Sequence, residues 1–552
     1  MDNNVLLFLE NRTEELGNNI SLGMKSHVGW KELTFKGLSI LSKRLAGYLI
    51  DLGIDKGAHV AILSESTPEF GAALFASAMA GATIIPLDIK LTIYELTSIL
   101  ESALPAVLLV SSSYLETAQK LKEIIPSIQH IILIDDNGVN KEVPSIYTIE
   151  DKPGRKWRHR NLNATAFIIY TSGTTGKPKG VEITFKNILA QVEAVGKCFD
   201  LGPNDRLLSI LPMNHLFELT VGFLSFLNLG VAIYYSKSLK PKDLFSIMTE
   251  KQITFMVVVP AFLKLLKTSI ESEISKMSNI QKFGFNIAYE IAKVIKWKWF
   301  KKLAFKRIHK KYGGKFKGFL SGGAPLDIEV GKFFNNIGLK IYEGYGLSEA
   351  SPVVTMNTDK AYRLGSVGQP LFNVKAKTDP ETGELLVKGD NIMKGYFNQS
   401  ELTKSTMTND GWLKTGDIAT IDKDGFVWIT GRIKNMIVLS GGKKVFPEEV
   451  ESVLQKSDMI QELCVYGGSR SGGQKDGCEN VCVVIKPTEE ILNKYSDDKE
   501  LEEIIRKEVK SYAEQLSHFK RPSSVIVTRN DLPRTPTSKI KRREIKEMFE
   551  NK

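Results

Sequence analysis

The stretch Tyr170-Thr-Ser-Gly-Thr-Thr-Gly-Lys-Pro-Lys-Gly180 constrains this chain more than any other. It follows the apolar run Ala166-Phe-Ile-Ile169, which reads as a buried strand. Its glycines, Gly173, Gly176 and Gly180, permit tight turns and close approach of backbone to a ligand. The hydroxyls of Thr171, Ser172, Thr174 and Thr175, with exposed backbone N–H groups, offer donors to phosphate oxygens. Lys177 and Lys179 add positive charge. The spacing excludes a Walker A loop, which needs four residues between its first Gly and Gly-Lys-Ser/Thr. Here two residues separate Gly173 from Gly176-Lys177, and Pro178 follows. Taken alone, such a loop reads equally well as a plain surface loop.

It is not alone. Ser321-Gly-Gly-Ala-Pro-Leu326, Tyr342-Glu-Gly-Tyr-Gly-Leu-Ser-Glu349, Trp412-Leu-Lys-Thr-Gly-Asp417, Gly431-Arg-Ile-Lys-Asn435 and Pro533-Arg-Thr-Pro-Thr-Ser-Lys539 follow in order. This ordered set resembles the adenylate-forming, or AMP-binding, superfamily: acyl-CoA synthetases, peptide-synthetase adenylation domains and luciferases. The resemblance covers nearly the whole chain. Ser-Gly-Gly-Ala-Pro-Leu, the basic segment before it and Ile437-Val-Leu-Ser-Gly-Gly442 are most similar to long-chain fatty acyl-CoA synthetases.

The resemblance implies roles for single residues. Thr171 to Lys177 (Thr171, Ser172, Gly173, Thr174, Thr175, Gly176, Lys177) hold the β and γ phosphates of ATP. Gly323, Ala324, Tyr345 and Gly346 border adenine, where small residues admit a flat purine. Ser348 bonds the α-phosphate and Glu349 holds Mg²⁺, a hard cation that suits one carboxylate plus water. Asp417 accepts from the ribose hydroxyls, and Arg432 adds charge at ribose or phosphate. His215, in Leu211-Pro-Met-Asn-His-Leu-Phe217, lines the carboxylate-substrate pocket. Lys434 is the hinge, Lys539 is the catalytic lysine, and Gly441 and Gly442 border a thiol tunnel. The family usually has Gly where Ser538 stands, and Thr more often than Ser where Ser348 stands. Neither change removes the hydroxyl or the ammonium.

The length, 552 residues, points to more than one domain at about 150 residues each. The expected architecture is α/β. A large N-terminal domain of layered helices and sheets spans 1–431, a hinge 432–435, and a small mobile α+β domain 436–552. His59-Val-Ala-Ile-Leu63 reads as a strand, and Thr67-Pro-Glu69 as a helix cap with Pro at the first position. Ala82–Ile85, Val107–Val110 and His130–Ile134 read as further strands, so apolar strands alternate with helices in a covered parallel sheet. The apolar stretch Leu219–Tyr235 is broken by Gly222, Ser225, Asn228 and Gly230. It reads as a core helix or as the wall of an acyl tunnel rather than a membrane span. No acid there stands out to pair with a substrate ammonium, which favours a neutral acyl chain.

Four cysteines and a start without a basic n-region suit a reduced cytoplasmic protein. Cys478 and Cys482 lack a second ligand pair for a metal. Between Lys282 and Lys317 lie twelve Lys or Arg and one acid, Glu290, so this segment carries as much net charge as the entire chain, +11. Trp297, Trp299, Phe300 and Phe305 lie among them. Two readings stand: peripheral contact with an anionic membrane, at the inner membrane face, or a solvated helix with its aromatics turned inward. Nucleic acid fits less well than either.

The implied chemistry has two steps. A fatty acid carboxylate attacks the α-phosphate of ATP, giving acyl-AMP and pyrophosphate; the thiol of coenzyme A then displaces AMP. The rivals are an enzyme loading a free acyl carrier protein, one acting on a shorter or aromatic acid, and a non-catalytic protein of the same fold. Lys443 and Lys444 either meet the phosphates of coenzyme A or are surface lysines.

Overall fold

The computed structural model describes residues 5–26, 29–136, 138–151, 157–171, 178–295, 297–439, 443–468, 479–534 and 540–550. Contacts divide the chain into two compact units, Met1–Ala376 with Val387–Leu413, and Lys377–Leu386 with Lys414–Lys552. The architecture is mixed α/β, with a large first unit and a smaller second one.

Two large sheets build the first unit. One has seven strands, in the order Gly395–Tyr396, Lys179–Thr184, Thr165–Thr171, Thr83–Pro86, His59–Leu63, Val107–Val110 and His130–Leu133. The strands expected from the apolar runs are therefore present, and from Thr83–Pro86 to His130–Leu133 they pair in parallel. Their side chains are buried on both faces, which is why they read as unbroken apolar runs. The helix Pro68–Met79 opens as its sequence dictates. Thr67 accepts from the Phe70 N–H, Pro68 needs no donor, and Gly81 turns the chain at φ +80°. Glu69 does more than favour the helix dipole. It is buried, ion-paired to Lys31, and accepts the Tyr147 hydroxyl at 2.5 Å.

The second sheet has nine strands. Its centre is parallel: Lys340–Gly346, Gly318–Ser321, Phe255–Val258, Arg206–Ser209, Ala232–Tyr235 and Ile20–Ser26. Leu219–Tyr235 is core, as its composition requires. Glu218–Ser225 is a π-helix buried along its whole length, and it leads through Phe226–Asn228 to the strand Ala232–Tyr235. The extra residue per turn of a π segment tends to occur at functional sites.

In the second unit, Ile460–Gly468, Asn480–Pro487 and Ser524–Val527 form a three-stranded sheet. The helices Pro447–Leu454 and Asp498–Ala513 bury Val450, Leu454, Leu501, Ile505 and Val509 in its core. Among the described residues no helix is long and apolar enough to cross a membrane.

Candidate active site

The Gly/Ser/Thr-rich stretch 170–180 joins two antiparallel strands. Thr165–Thr171 and Lys179–Thr184 pair with Tyr170 opposite Gly180 and Thr171 opposite Lys179. Ser172, Gly173, Thr174, Thr175, Gly176 and Lys177 lie outside the described residues, so the strand ends Thr171 and Lys179 locate the turn. The Thr171 hydroxyl approaches the Lys179 carbonyl at 3.5 Å.

The motifs Ser321–Leu326 and Tyr342–Glu349 sit at the carboxyl ends of neighbouring parallel strands, where open α/β sheets bind ligands. Gly318–Ser321 ends in Gly322-Gly323-Ala324, with Gly323 at φ +84° and both Gly323 and Ala324 exposed. A Cβ at Gly322 would sit 3.1 Å from the Phe217 ring, so the motif's first glycine serves packing and its second serves the turn. Lys340–Gly346 carries Tyr345 and Gly346 and runs into the 3-10 turn Ser348–Ala350. A Cβ on Gly346 would lie 1.8 Å from the Pro352 carbonyl oxygen, so only glycine fits. In the same strand Glu343 is buried, which raises its carboxyl to about 7 against the pull of the Gly365 and Leu326 N–H groups.

One segment ties these parts together, and the sequence reading missed it. Met393–Phe397 lies between the hairpin and the turn. The Met393 N–H donates to the Glu349 carbonyl at 2.9 Å, Lys394 N–H to Glu182 O at 3.0 Å, and Phe397 N–H to Gly180 O at 2.7 Å. At its centre the Tyr396 hydroxyl donates to Glu349 Oε1 at 2.7 Å. Burial, and then the Glu349 charge, raise the Tyr396 phenol far above its usual range, so it remains a donor. Lys179 Nζ stands 5.8 Å from the Tyr396 ring centroid. The half-buried Glu349 is thus held by one oxygen, and its carboxylate is of the kind that would suit a Mg²⁺. No signal in the Gly395-Tyr-Phe397 stretch marks Tyr396, because its partner lies 47 residues away.

His215 is partly exposed at the start of the π-helix, with Nε2 3.9 Å from Asp88 Oδ2. Three residues on, Glu218 was also overlooked. It is wholly buried, accepts the Ser209 hydroxyl at 2.6 Å, and burial raises its carboxyl to about 8. Glu218 Oε2 and the nearby Tyr235 hydroxyl have no hydrogen-bond partner among the described residues. Glu218 immediately precedes Leu219–Tyr235, and its enclosed carboxyl, raised by burial to about 8, does not offer a carboxylate to a substrate ammonium, in keeping with the absence of an acid partner in that stretch.

In the second unit Asp417 and Arg432 face each other across an antiparallel pair, and Arg432 Nε meets Asp417 Oδ1 at 2.8 Å. Asp417 is buried and Arg432 largely exposed. Lys434 sits in the 3-10 turn Ile433–Asn435. Gly441, Gly442 and Lys539 lie outside the described residues, but the flanks of Lys539 are fixed. Arg534 bridges Ile540, the Lys541 N–H donates to the Pro533 carbonyl at 2.8 Å, and Arg534 pairs with Glu462 at 2.8 Å. Arg542 is a tether. It donates to the Val465 carbonyl at 2.7 Å and to Glu451 at 2.6 Å, and pairs with Glu448 at 3.2 Å. Burial raises Glu451 despite this partner, and the Arg542 guanidinium stays charged.

Comparison with known proteins accords with this arrangement. Residues 10–397 match the AMP-binding enzyme family, and residues 434–552 match the AMP-binding enzyme C-terminal domain. The chain is 28% identical to the long-chain-fatty-acid–CoA ligase FadD15 of Mycobacterium bovis, over 80% of this chain and 76% of that one. It is also 28% identical to the 2-succinylbenzoate–CoA ligase of Bacillus subtilis, over 93% of each. The crystal structure of the ATP-bound RpMatB-BxBclM chimera B1 superposes with TM-score 0.81 at 25% identity, covering 99% of both chains. The matched regions take in the hairpin, the Glu349 turn and both flanks of Lys539, and the chain belongs to the AMP-binding enzyme family.

Proposed function

We propose that this protein is an acyl-CoA synthetase that activates a long-chain fatty acid with ATP and transfers the acyl group to coenzyme A. The observation that carries the reading is the Tyr396 tie. One side chain holds Glu349 and stands beside Lys179, joining the phosphate hairpin of the seven-stranded sheet to the carboxylate suited to Mg²⁺ on a turn of the nine-stranded one.

A carboxylate is inert to a thiol because oxide does not leave. Its oxygen attacks the α-phosphorus of ATP, the bond to the β-phosphate bridging oxygen breaks, and pyrophosphate departs. Two anions meet, so donors and cations are needed where charge gathers. The hairpin hydroxyls and Lys177 hold the β and γ groups, Ser348 bonds the α-phosphate, and Lys539 neutralises charge as it develops. Bound Mg²⁺ would supply further charge neutralisation between phosphates, with Glu349 holding it. Adenine lies against Gly323, Ala324, Tyr345 and Gly346, and the ribose hydroxyls bind Asp417 beside Arg432. The thiolate then attacks the acyl carbonyl and AMP leaves. The small domain turns at Lys434 between the steps, withdrawing Lys539 and bringing Gly441 and Gly442 to the thiol path. His215 borders the acid.

Support for a neutral acyl chain comes from the π-helix beyond His215, where Leu219, Val221, Phe223 and Leu224 are apolar and Glu218 is neutral. ATP–pyrophosphate exchange with acids from acetate to oleate tests the substrate, and thioester formation with coenzyme A or a phosphopantetheinyl carrier protein tests the acceptor. Exchange that peaks with oleate and thioester made on coenzyme A are the expected results. A peak with an aromatic or short acid would overturn the substrate, and transfer to the carrier protein alone would overturn the acceptor.

A further inference from the structure

The helix Asn279–Val294 is apolar on two opposite sides. Its inner side packs Phe285, Ala288, Tyr289 and Ala292 against the core of the first unit. Its outer side carries Ile280, Phe283, Ile287, Ile291 and Val294, which at 100° per residue fall within about 80° of arc. All five are exposed; Ile280, Phe283 and Val294 are 86%, 68% and 81% exposed. An ordinary surface helix turns its apolar side in and a polar side out. Here the core has already claimed one apolar side and a second is left in solvent. The solvated-helix reading accounts for Phe285 and Tyr289 but not for this stripe.

The chain continues from Val294 into exposed Trp297 and Trp299, stacked with ring centroids 5.8 Å apart, and exposed Leu303 on the short helix Lys298–Ala304. Lys298, Lys302, Lys306 and Arg307 among them are exposed, while Lys301 is turned in, donating to the Asn335 carbonyl at 2.9 Å. Among the described residues, Asp359, 3.8 Å from Lys298, and Glu290, 2.6 Å from Lys293, pair with lysines of this face.

We infer that this face, from Ile280 to Arg307, docks on the surface of a bilayer containing anionic phospholipid. Aliphatic and aromatic side chains enter the acyl boundary, tryptophans sit at headgroup level, and lysines meet the lipid phosphates. Charge decides between occupants. A second copy joined face to face would set one strongly basic segment against another. Nucleic acid would satisfy the lysines and leave the aliphatic stripe in water. An anionic bilayer satisfies both. The inference does not depend on which acid the enzyme activates, since its test reads binding.

The test is flotation of the full chain with vesicles of phosphatidylcholine alone, or of equal parts phosphatidylcholine and phosphatidylglycerol. The expected result is binding to the anionic vesicles that salt reverses, with affinity for the neutral ones weaker on the order of tenfold or more. Phe283→Ser with Val294→Ser should lower anionic-vesicle affinity on the order of tenfold at unchanged melting temperature, because both side chains are already in solvent. Lys298→Glu with Lys302→Glu should do the same and flatten the salt dependence. Equal binding of wild type to both vesicles, no binding to either, or wild-type affinity in both double variants would overturn the inference. So would a wild-type dimer, formed without lipid, that Phe283→Ser with Val294→Ser dissociates. Tighter binding to DNA than to anionic vesicles, kept by the stripe variant, would also overturn it.

Discussion

Tyr396 contributes one hydroxyl, and that hydroxyl fixes where the Glu349 carboxylate points. Tyr396→Phe keeps the ring and its packing but frees the carboxylate. The expected outcome is a fall in pyrophosphate exchange of about tenfold together with a higher Mg²⁺ concentration for half-maximal rate, since a supporting partner to a metal ligand typically matters by 10–100-fold. An unchanged Mg²⁺ dependence would remove Tyr396 from this role. For Lys539→Ala, adenylation should drop by at least about a hundredfold, while thioester formation from supplied acyl-AMP is mostly spared. Equal loss in both half-reactions would refute the assignment. Glu218 makes a different prediction. Its folded carboxyl titrates near 8, above the ordinary 4.5, so the folded state keeps a proton that the unfolded chain gives up. Stability should therefore fall as pH rises through that window, by up to about 1.4 kcal/mol per unit. Glu218→Gln should match wild type within about 1 kcal/mol near pH 5 and exceed it at pH 8 in thermal melts.

At the scale of elements, the C-terminal helix Arg542–Phe549 is tethered through Arg542 to Glu451, Glu448 and the Val465 carbonyl. Removing one partner of such a pair leaves half-buried carboxylates without their donor. Arg542→Ala should cost the second unit about 1–3 kcal/mol in urea unfolding. Arg542→Lys should recover only part, because an ammonium lacks the planar fork that meets two carboxylates and a carbonyl at once. These same contacts explain what was readable beforehand. Val107–Val110 and the Thr67 cap were legible because strands buried on both faces and capped helices write their geometry into adjacent residues. The nucleotide motifs were legible because each demands particular residue types in a fixed order. Tyr396, Glu218 and the Arg542 tether were not. Each depends on a partner brought in by the fold. The stripe on Asn279–Val294 was half legible. By spacing Ile287, Ile291, Val294 and Ile295 fall on one helical face, but only the fold shows that Phe285 and Tyr289 use up the inward side.

For the molecule as a whole, the strand-to-strand path through the phosphate stretch has an electrical consequence. In many nucleotide sites the chain leaves the loop as a helix, whose positive end faces the phosphates. Here Thr171 leads back through Lys179 into another strand, and the next helix, Phe185–Cys198, begins only after that strand ends. Among the described residues no helix begins between these two strands, so attraction of a phosphate to this hairpin would rest on charged side-chain groups such as the Lys179 ammonium rather than on a helix macrodipole. Counterions shield such groups readily, with a screening length near 8 Å at about 0.15 M salt. The apparent affinity for ATP should accordingly weaken steeply in an ionic-strength titration of KM, making salt concentration a lever on how fast this protein charges its acid.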